Sequence, residues 1–199
     1  MKLKICLDAL MLAVLLLLMP YSLIGEELHE ILGVAMFVLF AVHQFLNRSW
    51  YKSLKSAKFN LRTAINLMLP ILMILQVASG ILMAKHLVFV EYYDFASTAR
   101  LMHLAISYWL LIFVAIHLGL HFKLLKSQLK INHVLPLKIL AGTISIYGFY
   151  VFINRKILDY MFLKSEFVFL DFSENAALVV ADYFAIMILF SIIGCKLKN

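Results

Sequence analysis

Charge is scarce in this chain: only 15% of its 199 residues are Asp, Glu, Lys or Arg, against about a quarter in an ordinary soluble domain. Three prolines, seven glycines and two cysteines complete a list of shortages. The lack of charge excludes a soluble globular protein. Two cysteines cannot supply the four thiolates of an iron–sulfur cluster. Strict apolar/polar alternation is missing, which excludes a membrane barrel. No glycine-rich phosphate loop, internal repeat or low-complexity tract is present.

What is present is apolar. Hydrophobic residues make up 64% of the chain, and mean hydropathy is +0.96. A membrane helix needs about 20 apolar residues. Six runs qualify: 5–24, 27–46, 63–84, 98–122, 134–153 and 175–193. The expected fold is all-α, a polytopic protein with six transmembrane helices and the lipid bilayer as its main partner. These spans leave little chain for a soluble domain.

The net charge of +7 does not read as a nucleic-acid surface, because of where it lies. Lys2, Lys4, Arg48, Lys52, Lys55, Lys58, Arg62, Lys123, Lys126, Lys130, Lys138, Lys196 and Lys198 all fall on one side of a six-span arrangement. Lys85, Arg100, Arg155, Lys156 and Lys164 fall on the other, beside most of the acids. The positive-inside rule then places both termini in the cytoplasm. The first run is read as a retained span and not a cleaved signal, since no small-x-small site precedes Gly25. Asp8, near its inner end, is expected to be solvated at the interface. Cys6 and Cys195 lie near the cytoplasmic ends of the first and last runs, where thiols stay reduced.

Trp50 and Tyr51 read as interfacial anchors, and Pro70 as a kink in the third run. Ser79-Gly80 allows close approach to that run. Gly142 and Gly148 point to close packing of the fifth run, and the segment 154–174, rich in aromatic residues and mixed charges, to an external loop that lies on the membrane surface or docks a partner. Tyr108 and Trp109 read as core or anchor residues.

The chemistry lies in the histidines. His29 and His43 stand 14 residues apart on the second run; His103 and His117 stand 14 apart on the fourth. Fourteen residues rise roughly 21 Å and, at about 3.5 residues per turn, return to the same helix face. Runs two and four point the same way, so His29 and His103 share an outer level and His43 and His117 an inner one. Imidazole suits iron, and facing bundle side chains can hold a cofactor between them. The pattern points to two haems, one near each membrane face. There is no C-x-x-C-H, so neither is attached covalently in the c-type manner. Gly33, Gly80 and Gly119 would leave room for a porphyrin. Arg100 outside, and Arg48 or Lys52 inside, would pair with propionates. His121 is an alternative inner ligand, or a boundary residue near a propionate or quinone. His86 and His133 read as interfacial.

The phrases L-H-E-I-L-G at His29, V-H-Q-F-L-N-R-S-W-Y at His43, S-G-I at Ser79, R-L-M-H-L at Arg100 and I-H-L-G-L-H at His117 resemble two-haem b-type membrane cytochromes. These include respiratory cytochrome b and the cytochrome b subunits of formate dehydrogenases and hydrogenases. The chain looks closest to a small bacterial family of cytochrome-b-like proteins. The resemblance covers residues 5–125 and leaves the last two runs outside it. It implies a four-helix di-haem core over 1–125, followed by two additional transmembrane helices and an external loop over 126–199. It also implies two haem b held by His29, His43, His103 and His117, a place in a bacterial cytoplasmic membrane, and an extracytoplasmic redox partner that carries flavin. Electrons would pass between that partner and a cytoplasmic-side or quinone donor. No catalytic triad or acid/base pair is legible, which favours an electron-transfer subunit over a self-sufficient enzyme. The rival expectations are a histidine-lined transporter or metal channel, and a membrane anchor subunit of a redox complex.

Overall fold

The computed structural model describes residues 2–54, 59–85, 93–128, 134–168, 171 and 173–197. His86 and His133, together with Lys55, Lys58, Lys130, Lys198, Phe169 and Phe172, lie outside the described residues. Every regular element among the described residues is a helix. In chain order they are α1 (Lys2–Leu18), α2 (Tyr21–Ile24), α3 (Glu26–Leu46), α4 (Arg48–Ser53), α5 (Leu61–Ile81), α6 (Tyr93–Leu120), α7 (Phe122–Gln128), α8 (Val134–Asn154), α9 (Ile157–Met161) and α10 (Ala176–Leu197).

Five of these are long and apolar enough to cross a membrane: α3, α5, α6, α8 and α10. The sixth expected run is interrupted. α1 has 17 residues and stops at Leu18, and the chain turns at Pro20 into the single turn of α2. Proline disfavours helical geometry in the residue before it, and here the run 5–24 breaks at that point. α6 is longer than the run 98–122, since it begins at Tyr93.

Local chemistry sets several helix ends. Gly25 sits at φ +86° between α2 and α3, a conformation open to glycine without strain. Glu26 and Glu27 then occupy the first turn of α3, where carboxylates complement the helix dipole. The Asn60 side chain accepts from the Thr63 backbone N–H at 2.9 Å and caps α5. α5 continues through Pro70.

Side-chain contacts fix the directions. Lys4 on α1 reaches Leu46 O and Asn47 Oδ1, while Tyr21 reaches Glu26, so α1–α2 and α3 are antiparallel. Lys85, just past α5, bonds Glu26 at the start of α3, so α3 and α5 are antiparallel too. Gln76 faces His103 and Asn66 faces His117, which makes α6 antiparallel to α5. α3 and α6 therefore run the same way, as the histidine argument requires.

The densest packing lies on the other side of α6. Tyr108, Leu111 and Ala115 of α6 meet Val179, Tyr183 and Ile186 of α10, with Ile157, Tyr160 and Met161 of α9 closing the top. Tyr108 is 2% exposed and stacks on Tyr160 at 5.0 Å, and Trp109 donates to Met161 O. Both belong to the core, as the sequence reading has it. A Cβ on Gly119 would stand 2.7 Å from Cys195 N, and one on Gly194 2.9 Å from Ile116 Cα. These two glycines let α6 and α10 touch backbone to backbone. Gly148 does the same for α8 against Ala185, but a Cβ on Gly142 would meet nothing within 4 Å. Gly142 is not a packing device. Outward-facing Ile71, Ile74, Ile139, Ile146 and Phe149 are exposed, the arrangement expected where lipid, not water, is the solvent.

Candidate functional site: a histidine-lined cavity

α3 packs on α1 and against α5, and α6 packs on α5 and α10. Between α3 and α6 the bundle stays open, leaving a cavity of about 1430 Å³. That exceeds the roughly 300–1,000 Å³ of an ordinary small-molecule site. All five histidines among the described residues line it: His29, His43, His103, His117 and His121.

At the outer level the His29 and His103 rings stand 6.1 Å apart between centroids, inclined by 68°. Tyr21 meets His29 edge-on at 5.0 Å. His103 Nδ1 lies 3.1 Å from both the Gln76 carbonyl oxygen and Ser79 Oγ. A carbonyl can only accept, so Nδ1 carries the proton and Nε2 the lone pair. Gly80 lets this ring lie against α5, since a Cβ there would come within 3.3 Å of His103 Cε1. The buried Nδ1 of His29 has no hydrogen-bond partner.

The inner level repeats the device with other partners. His117 Nδ1 sits 2.9 Å from Asn66 Oδ1. His43 Nδ1 sits 2.7 Å from Asp8 Oδ1. Its Nε2 is 3.4 Å from Asn47 Nδ2, at the long end of contact. His121 ends α6 with its ring 4.5 Å from that of His117. The Arg62 guanidinium lies 3.1 Å from its Nε2 and 3.0 Å from its Nδ1. His121 thus turns its nitrogens to a permanent cation, while His117 turns its Nδ1 to Asn66.

Metal-binding histidines usually donate their second ring N–H to a carboxylate, carbonyl or similar acceptor, which fixes the tautomer and aims the other nitrogen. Three of the four paired histidines do this through Nδ1. Among the described residues no group of three or more His, Cys, Asp or Glu is placed to hold a bare metal ion. His29 and His103 face each other, and His43 and His117 line the same cavity at the other level.

The remaining expectations divide. Arg100 lines the outer cavity, donates to Glu166 O at 3.1 Å and lies over the Phe167 ring at 4.2 Å. Gly33 lines the cavity, and a Cβ there would meet nothing within 4 Å. Gly119 faces α10 instead and gives the cavity no room. Neither Arg48, which lies over Phe45, nor Lys52 lines the cavity; Lys4 does. Trp50 and Tyr51 form an edge-on pair at 5.0 Å at its inner end. Asp8 is not merely solvated, since it holds His43. Asn66 and Gln76 have no role in the sequence reading, and Asp8 and Ser79 have different ones. Their signal was polarity inside otherwise apolar runs, at the same depths as the histidines.

Fold and composition together define an all-helical protein of the multi-pass membrane class. No family model, no curated protein and no solved structure matches the chain.

Proposed function

We propose that the cavity holds two b-type haems, one at each histidine level, and that the protein carries electrons across the membrane. The observation behind this reading is the facing outer imidazole pair and the matched inner level, with three of four rings anchored at Nδ1. The ring spacing of the outer pair is consistent with a shared metal. Two metal–imidazole bonds of about 2 Å each, plus about 1 Å from each nitrogen to its ring centre, bring centroids about 6 Å apart. The partnerless Nδ1 of His29 and the open face of Gly33 add room and a free polar atom at the same level.

Bound haem supplies a reversible one-electron iron couple. The chain's own residues do the rest. His29 and His103 clamp the outer group, and His43 and His117 the inner one. Gln76, Ser79, Asn66 and Asp8 hold ring tautomer and tilt. Apolar lining from Met36, Phe40, Leu69 and Met73 keeps water from the space between levels. Arg100 and Lys4 offer cations at the two ends. The levels are separated by roughly 21 Å, so two groups held there would divide the hydrocarbon layer of about 30 Å.

In this reading α1 is a sixth, short span that brings Lys4 and Asp8 to the cytoplasmic face of a bacterial membrane, with both termini inside. Electrons pass between a cytoplasmic-side or quinone donor and an extracytoplasmic redox protein, such as one carrying flavin. The kinship with two-haem b-type cytochromes belongs to the same proposal. The test is a reduced-minus-oxidised spectrum of the purified chain. The expected result is b-type Soret and α bands with two haems per chain. A colourless protein, or one whose bands persist when all four histidines are replaced by alanine, overturns the reading.

A further inference from the structure

Charged groups stand at both levels, Glu26, Glu30 and Arg100 in the outer lining and Arg62 beside His121 at the inner, but among the described residues only the inner level sets a carboxylate on a ring nitrogen. At the outer level His103 Nδ1 meets a neutral carbonyl and a neutral hydroxyl, and His29 Nδ1 meets no acceptor. At the inner level His117 meets a neutral amide, but His43 meets a carboxylate at 2.7 Å. Asp8 comes from α1, a helix outside the α3–α6 pair, and lines the cavity beside His43. The nearest cation on its own helix, Lys4, is committed to Leu46 O and Asn47 Oδ1 at the end of α3.

We infer that Asp8 is a positioning residue that makes the inner histidine pair a stronger electron donor than a neutral acceptor at His43 would. A carboxylate accepting the Nδ1 proton raises the basicity of the ring it holds. A more basic ligand would favour the oxidised, more positive metal over the reduced one. Asp8 should therefore lower the midpoint potential of the inner centre. This deepens the proposed function and rests on it.

The experiment uses the full chain with its bound pigment, titrated potentiometrically in the α band. The unaltered protein should give two one-electron waves. His43→Ala identifies the inner wave by removing it. Asp8→Asn keeps an acceptor of the same shape and removes the charge. It should retain two haems per chain, raise the inner wave and leave the outer in place. Asp8→Glu should bring the inner wave back down. The low-spin electron paramagnetic resonance signal of the inner centre should shift in Asp8→Asn while that of the outer does not.

Two results overturn the inference: both waves unmoved in Asp8→Asn, or movement confined to the wave lost in His29→Ala. A chain without haem overturns this inference and the proposed function together. A chain with two haems and an indifferent Asp8 overturns this inference alone.

Discussion

His29 and His103 face each other across the outer cavity with ring centres 6.1 Å apart, although 74 residues of chain separate them (103 − 29) and their helices touch chiefly through α5. Only His103 of the two has its Nδ1 held by the protein, by Gln76 O and Ser79 Oγ. Removing either ring leaves one imidazole at the level. His29→Ala and His103→Ala should each reduce bound haem from two to one per chain. His43→Ala and His117→Ala should remove the other. His121→Ala should keep both, because its nitrogens face Arg62. Pyridine haemochrome quantitation on purified variants checks all five. Two haems in His117→Ala with one in His121→Ala would reverse the inner assignment.

The glycines of the cavity give a graded prediction. A Cβ at Gly80 would stand 3.3 Å from His103 Cε1, so the ring must shift by a few tenths of an ångström to admit it. Gly80→Ala should weaken the outer haem, and Gly80→Leu should displace it and leave one per chain. Gly33 opens onto empty space. Gly33→Ala should leave both haems in place and gain up to about 1 kcal/mol of helix propensity. Haem stoichiometry and thermal unfolding in detergent separate the two sites; equal losses at both would show that the tight side of the cavity has been misjudged.

The parts of this architecture that could be read from the sequence follow from one-dimensional periodicity. Helical runs, their direction and the matched depths of His29 with His103 and His43 with His117 all come from counting residues along a rod. Pro20 was visible too, but its consequence depended on whether the chain would turn there or pass through, as α5 passes through Pro70. What counting misses is lateral. Gly119, two residues past His117, has a spacing that suits a porphyrin, yet the helix turns it toward Ser191 and Cys195 of α10. Asp8 is the seventh residue of α1, and nothing along α1 says that His43 of the neighbouring helix will stand beside it. Rotation about a helix axis is set by which neighbour packs on which face, and apolar membrane helices advertise little of that in their composition.

Packing of α10 along α6 should be essential in spite of its lack of histidine. Gly119→Ala places a Cβ 2.7 Å from Cys195 N and closer still to Ser191 O, both backbone atoms. The helices must part, at an overpacking cost of about 1–3 kcal/mol or more. Since α6 carries His103 and His117, loss of this contact should loosen both haems together. Gly142→Ala, with open space around it, should be neutral. Thermal unfolding followed by circular dichroism and by Soret absorbance should report coincident destabilisation for Gly119→Ala. Unchanged stability there would mean that α10 is dispensable to the cavity wall.

The outer ends of α8 and α10 are tied by charge. Arg155 Nε donates to Asp182 Oδ2 at 2.7 Å, its second nitrogen reaches Glu174 at 2.7 Å, and Tyr147 OH donates to Asp182 Oδ1 at 2.6 Å. Asp182 is 9% exposed, whereas the Glu174 side chain is 38% exposed. Burial decides which removal matters. Asp182→Ala strips an enclosed guanidinium of its nearest counter-charge, a change worth about 3–5 kcal/mol in buried pairs. Glu174→Ala removes a solvated partner and should cost less than about 1 kcal/mol. The double change Asp182→Leu with Arg155→Met should recover much of the first loss, because the desolvated charge disappears with its partner. Chemical unfolding of the four proteins checks the order. Equal costs for Asp182→Ala and Glu174→Ala would show that solvent reaches Asp182 and that the tie is a surface pair.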